Sequence, residues 1–237
     1  MLGMIGAMDK EVDALRDAMT DTREEVIGFT RCTLGVLWGV NVCLARCGVG
    51  KVHAALCAQA LLLRYPVDAL LNIGVAGALR PSLAIGDAVI ARSAVQHDMD
   101  TTAFGDPPGL IWGPNIVHIP CDPALTALLR RAAEEASLRY EEGAVATGDQ
   151  FIVDTKKKTQ LAEAFGAAAC DMEGAAIAQC SYEMHVPFAA CRLISDTRDG
   201  DQREYMEKAA LACRNEEILL RRFLPLYHAW EEEKHHG

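Results

Sequence analysis

The chain has 237 residues, of which 51% are hydrophobic and 24% charged, and a formal net charge of −10. Such a length and apolar content can bury a sizeable core in one unit spanning 1–237, while the negative balance, with Lys156–Lys158 as the only short basic run, argues against nucleic acid or an anionic membrane as main partner. No apolar run approaches a membrane span, and MLGMIGAMDKEVDAL has no basic segment ahead of its short apolar stretch, so the expectation is a cytoplasmic protein acting on a small solute.

Apolar periodicity predicts a first strand over 2–7, running into a helix over 9–18. Asp9 and Glu11 fall in that helix's first turn, where either acid can cap the helix or favour its positive end, and where Glu11 can instead carry chemistry. Strands over 28–37 and 40–46 lead to CGVGKV and a helix over 51–64. The glycines Gly48 and Gly50 stand too close together for a phosphate loop, and Val52 rather than Ser or Thr follows Lys51, so a tight strand-to-helix turn is the better reading. A strand over 69–75 ends in GVAG, whose Gly74 and Gly77 let the backbone approach a ligand closely.

A strand over 87–97, the loop DMDTTAFGDPPGLIWG, a helix over 123–138 and a strand over 143–147 come next, the last ending in GDQFI. Beyond a helix over 156–165, the strand 167–172 ends in Asp171, Met172 and Glu173. It runs into a helix over 173–184 whose small residues Gly174, Ala175, Ala176 and Ala178 allow close packing on the sheet, bringing Met172 and Glu173 to the rim. The bland alternative is a helix-start glutamate beside a core methionine. Arg192 sits inside the apolar strand 187–194, where an unpaired charge is costly; Glu11 or Glu173 would serve as its partner. That run ends at Ser195 and Asp196, and Asp196 is either a cap for the segment after it or a partly desolvated acid with a proton to donate. A helix over about 202–232 closes the chain.

This alternation implies an α/β fold: a single-domain α/β sandwich with a mixed, mostly parallel central sheet flanked by helices on both faces, and an antiparallel element from the early strands. Ligands gather beyond the carboxyl ends of strands in such sheets. Nine scattered cysteines without a C-x-x-C pair read as reduced, buried thiols, and seven histidines without H-E-x-x-H spacing offer no metal site, so no cofactor is expected.

Taken in order, IGAMDKEVDAL, CGVGKVHAALCAQALL, NIGVAGAL, IGDAVIA, HDMDTTAFG, ATGDQFI, DMEGAAIAQC and VPFAACRLISD form a series that resembles the 5′-methylthioadenosine/S-adenosylhomocysteine nucleosidases of the purine nucleoside phosphorylase superfamily. The likeness covers about 1–196. It implies a nucleoside phosphorylase-like fold and hydrolysis of the N-glycosidic bond of both nucleosides, releasing adenine and the 5-thioribose product. It further implies a homodimer in which a loop of one subunit closes the partner's 5′ pocket. Asp196 would be the general acid at adenine N7, Glu11 would orient the water, Glu173 would hold the ribose hydroxyls, and Arg192 would fix the water and nearby carboxylates. Phe151 would stack on adenine, and the backbone of Ile152 would read its edge. Ser195 would hold Asp196, Met172 would pack under the sugar, and Ala7 and Met8 would line the ribose side, with Val75 and Gly77 in the adjacent turn. Phe104 would come from the partner's loop.

Two departures stand out. Val75 occupies a place where many relatives have serine, and the segment 197–208 lacks the usual aromatic over the 5′ end, leaving Tyr205 as its replacement. Related hydrolysis of 6-amino-6-deoxyfutalosine or 5′-deoxyadenosine is therefore the chief alternative. A phosphorolytic purine nucleoside phosphorylase is disfavoured because Glu11 would oppose the phosphate anion. A nucleoside-binding module without turnover would have no need of Glu11, Glu173 and Asp196 together.

Overall fold

The computed structural model describes residues 1–200 and 202–236, with side chains as far as 233. The chain opens with β1 (Leu2–Gly6), α1 (Asp9–Asp17), β2 (Thr20–Ile27), β3 (Thr30–Leu37), β4 (Val40–Arg46) and α2 (Lys51–Arg64). It continues through β5 (Ala69–Asn72), β6 (Val75–Ala78), β7 (Ala88–Gln96), β8 (Ile119–Pro120), α3 (Pro123–Glu135) and β9 (Tyr140–Thr147). The remaining elements are α4 (Thr155–Phe165), β10 (Ala167–Asp171), α5 (Gly174–Glu183), β11 (Phe188–Asp196) and α6 (Gln202–His236).

One sheet runs in the order β2-β3-β4-β1-β5-β11-β6-β10-β9-β7-β8, with β11 also pairing β7. The extra pairing joins β11, β6, β10, β9 and β7 into a closed ring, so half of the sheet is a small barrel rather than an open layer. Pairings of β1 with β4 and β5, of β11 with β5 and β6, and of β9 with β7 and β10 are parallel. The β2–β3–β4 meander is antiparallel, as expected for adjacent early strands.

Core formation follows strand alternation. Leu2 and Met4 of β1 face a cluster with Leu125 and Leu129 of α3 and Leu219, Leu220 and Phe223 of α6. Ile5 faces the other way, with Cys57, Ala58 and Leu61 of α2 and Ala175, Ile177 and Ala178 of α5. The small residues of α5 do let that helix settle on the sheet. All nine cysteines are free thiols, seven of them buried. Among the described residues no helix is long and apolar enough to cross a membrane.

Among the differences from expectation, two bear on the sheet. The run 69–75 is two strands, because the chain turns at Gly74, where φ is +125°. The strand β2 has no counterpart in the sequence reading: its TDTREEVI is mostly exposed, so it carries the charge suited to an edge strand and lacks an apolar alternation to betray it.

Candidate active site

The carboxyl ends of β1, β10 and β11 open on one cavity of about 370 Å³. Its walls include Ala7, Met8, Glu11, Val75, Gly77, Phe151, Ile152, Met172, Glu173, Ser195, Asp196 and Tyr205. Segments far apart in the chain therefore converge there.

Glu11 reaches this cavity from the first turn of α1. One carboxylate oxygen accepts the backbone N–H groups of Ala7 (2.8 Å) and Met8 (2.9 Å), and the other accepts that of Val75 (3.1 Å). The two readings of Glu11 thus merge, since the same side chain closes its own helix start and faces the pocket. Asp9 caps nothing; it is exposed and pairs with Arg46 at 3.3 Å. Gly74 is obligatory beside Glu11. A Cβ there would stand 2.6 Å from Glu11 Oε1 and 2.8 Å from Arg192 Nη1, on a backbone of positive φ.

Glu173 precedes α5 and accepts the N–H of Gly50 at 2.9 Å, so the glycine turn that resembled a phosphate loop holds a carboxylate instead. Burial, reinforced by nearby Asp171 and offset by Arg192 and the Gly50 N–H, pushes the Glu173 carboxyl up to about 7.

Arg192 has a different partner from either expected one. Its Nε and Nη2 reach a single oxygen of Asp171 at 2.9 and 2.5 Å, and it also donates to Asn72 Oδ1 and to the carbonyl of Ile73. Asp171 lies directly at the end of β10, whereas Glu11 and Glu173 are already held by backbone amides; the shorter reach decides the pairing. Asp171 further accepts from Thr147 Oγ1 (2.5 Å) and from the N–H of Gly174 (3.0 Å). Burial opposes the Arg192 charge, but Asp171, Glu173 and Glu11 outweigh it and hold the guanidinium above its usual value. Sequence reasoning gave Asp171 no role.

A second residue was missed altogether. Glu216 of α6 is 3% exposed and accepts the N–H of Gly74. Burial, with Glu11 as next cause, pushes its carboxyl up to about 8, so it stays mostly protonated at neutral pH.

The opposite wall is built around Asp196. Its Oδ1 accepts from Ser195 Oγ (3.0 Å), and its Oδ2 accepts from Lys158 Nζ (2.9 Å). Lys158 is 0% exposed and donates as well to the carbonyl of Thr197 at 2.9 Å. The basic run 156–158 is thus not a surface patch: Lys156 is exposed and Lys157 half-buried, but Lys158 turns inward with Leu161 and Phe165 along one stripe of α4. Gly77 lies against the acid, for a Cβ there would meet Asp196 Oδ2 at 2.8 Å.

At the mouth, Phe151 and Tyr205 meet edge to face with centroids 5.3 Å apart. The Tyr205 hydroxyl donates to Met8 Sδ at 3.4 Å and accepts from Lys10 Nζ at 2.7 Å. Ile152 is buried and lines the cavity. Phe104 is not among the residues of this cavity; it is 78% exposed and packs on Trp112 with centroids 5.9 Å apart.

Sequence and fold match a known class. A family model described as "Phosphorylase superfamily" matches residues 2–225, and the chain belongs to that superfamily. The 5′-methylthioadenosine/S-adenosylhomocysteine nucleosidase of Shewanella oneidensis is 40% identical over 201 residues, 84% of this chain and 85% of the relative. Its counterpart from Shewanella sediminis is 38% identical over 213 residues, 88% of this chain and 93% of the relative. Among solved structures, the Neisseria meningitidis nucleosidase of the same name, in complex with methylthio-immucillin-A, superimposes with a TM-score of 0.89 at 30% identity, covering 94% of this chain and 97% of that one. A futalosine hydrolase from Helicobacter pylori superimposes with a TM-score of 0.90, also at 30% identity and with the same coverage.

Proposed function

We propose that this chain, as one nucleosidase domain over 1–237, hydrolyses the N-glycosidic bond of 5′-methylthioadenosine and S-adenosylhomocysteine, releasing adenine and the 5-thioribose product. The observation that carries this reading is the convergence of Glu11, Glu173 and Asp196, each no more than 6% exposed, on a single cavity of nucleoside size. Relatives bearing this activity in their names support it.

Adenine leaves poorly as an anion, so Asp196 passes a proton to N7 while the electron pair of the C1′–N9 bond moves into the ring. The sugar becomes oxocarbenium-like, and the carboxylates around it stabilise that charge. Glu11, fixed by three backbone amides, orients the water and takes its proton as the oxygen bonds to C1′. Glu173 binds the ribose hydroxyls, Met172 forms an uncharged floor, and Ala7 and Met8 line that side. Phe151 stacks on adenine, the backbone of Ile152 reads its edge, and Ser195 holds Asp196. Arg192 acts through Asp171, locking the ends of β10 and β11 so that the catalytic acids keep their places. Tyr205 covers the 5′ substituent.

A homodimer would complete the pocket mouth. Val52, Leu56 and Leu63 on the outer face of α2, with Phe104 and Trp112, leave large apolar side chains exposed, from 52 to 71% on α2 and 78 and 57% on the loop, and such surfaces favour burial against a second copy. Its setting would be the cytoplasm.

The test is steady-state adenine release from methylthioadenosine, S-adenosylhomocysteine and 6-amino-6-deoxyfutalosine, each with and without phosphate. Hydrolysis of the first two, indifferent to phosphate, is expected. A rate that requires phosphate rejects hydrolysis. Preference for the third substrate selects the alternative that the Helicobacter pylori neighbour favours.

A further inference from the structure

Lys158 stands out among the charged groups around the cavity because the proposed reaction assigns it no part. A lysine at 0% exposure is costly, and replacing a buried ion pair by apolar residues is often neutral or stabilising. The stripe of α4 that contains it is otherwise apolar, Leu161 and Phe165 being its other buried members. An ammonium at that position contributes little to the fold that a methionine would not, so a role in the site is the better explanation of its presence.

Its bonds show what that role is. Lys158 Nζ lies 2.9 Å from Asp196 Oδ2 and 2.9 Å from the carbonyl of Thr197, the residue after Asp196. Ser195 Oγ occupies the other Asp196 oxygen at 3.0 Å. We infer that Lys158 is a positioning residue for the general acid: its ammonium neutralises the carboxylate left on Asp196 once the proton has moved to the leaving base. This inference rests on the nucleosidase reading above.

The proton balance is simple. Asp196 must be protonated in the substrate complex, and it gives that proton to N7 as the C1′–N9 electron pair enters the purine. The negative charge that appears on Asp196 then faces a cation already in hydrogen-bond contact. N7 of an intact adenosine is a weak base, so an acid whose conjugate base is stabilised in this way donates more readily.

Other titratable groups face the pair from the surrounding elements. Cys170 of β10 is pushed up to about 12 by burial and stays neutral. Asp171, next in sequence, is bound to Arg192. Glu204 of α6 accepts the N–H and hydroxyl of Thr197 at 2.7 and 2.9 Å, and Tyr205 stands in the cavity wall. None of the bonds of these groups reaches Asp196, so among the described residues Lys158 is the cation in contact with its carboxylate.

The experiment compares pH profiles of adenine release for wild type, Lys158→Met and Lys158→Arg, with thermal melting as a check on folding. In Lys158→Met the alkaline limb of kcat/KM should be displaced from its wild-type position. Its plateau kcat should fall about tenfold or more, with KM changed far less. Lys158→Arg, which keeps the cation, should hold the limb near the wild-type position even if its rate is lower, and it carries the test should the methionine variant fail to fold. A folded Lys158→Met whose profile superimposes on wild type after scaling overturns the inference, as does a limb displaced equally in Lys158→Arg. A wild-type chain that releases no adenine from any of the three nucleosides overturns the nucleosidase reading itself, a result distinct from an active wild type with an unmoved limb.

Discussion

The two walls of the cavity solve the burial of charge in opposite ways. On one, Glu11, Asp171, Glu173 and Glu216 lie around the buried Arg192, which is ion-paired to Asp171; on the other, Asp196 is ion-paired to the buried Lys158. Burial, with Asp171 as the next cause for Glu173 and Glu11 for Glu216, pushes Glu173 up to about 7 and Glu216 up to about 8. Asp196 instead has a buried ammonium in hydrogen-bond contact with its carboxylate. A site that must meet a sugar turning cationic and a base that must gain a proton as it leaves is served by such unlike walls: acids grouped around the first, and for the second an acid whose conjugate base faces a cation.

The largest effect should come from the wall with one acid. Asp196→Asn keeps an oxygen to accept from Lys158 but cannot donate a carboxyl proton, so adenine release should fall at least 10²-fold, by about the share general acid catalysis contributes. Binding of substrate should persist, measurable by equilibrium dialysis of methylthioadenosine. Near-full activity would remove Asp196 as the acid and dissolve the contrast between the walls.

On the crowded wall the corresponding break is Arg192→Met. Asp171 would lose both guanidinium bonds while remaining buried, a loss of about 3–5 kcal/mol for one partner of a buried pair. Urea unfolding would read it directly. A drop below about 1 kcal/mol would mean that Thr147 and the Gly174 N–H satisfy Asp171 unaided, and that Arg192 is not what holds this wall together. Smaller again is Phe151→Ala. Its ring, 48% exposed at the mouth, is proposed to stack on adenine, and its removal should raise KM about tenfold with kcat nearly unchanged. An equal fall in kcat would place Phe151 in the chemistry rather than in binding.

Much of this contrast was legible in the sequence. Glu11, Glu173 and Asp196 each come after an apolar run, and strand ends are where an α/β sheet gathers its ligands. What escaped notice was charge hidden on helical stripes. Lys158 looked like the end of a basic run, although Leu161 and Phe165 place it at i and i+3, i+7 of an apolar face. Glu216 is likewise in register with Ala212, Leu219 and Phe223, all buried. A charged residue interrupting an apolar stripe is the signal that would have found both. Asp171 escaped for another reason. Its neighbour Glu173 drew the assignment, and no pattern in one dimension tells which of two acids Arg192, far along the chain, will reach. The edge strand β2 had no apolar alternation to follow.

The finest test of the crowded wall concerns Glu216, which the reading of the sequence passed over. It has an ordinary carboxyl value of 4.5 and a folded value of about 8, so the fold binds a proton that the unfolded chain releases. Its contribution to stability is complete below pH 4.5 and is lost as pH rises through about 8. Glu173 does the same over the narrower range up to about 7. The melting temperature of the wild type should therefore decline from about pH 5 to about pH 9. Glu216→Gln keeps an oxygen for the Gly74 N–H but carries no titrating proton. Its curve should follow the wild type's decline up to about pH 7, though less steeply, and flatten above it, so that the variant is the more stable protein at about pH 9. Parallel curves across the whole range would mean that Glu216 is ionised at neutral pH. The wall would then hold its charge by some means other than keeping protons, and the difference between its two sides would rest on Lys158 alone.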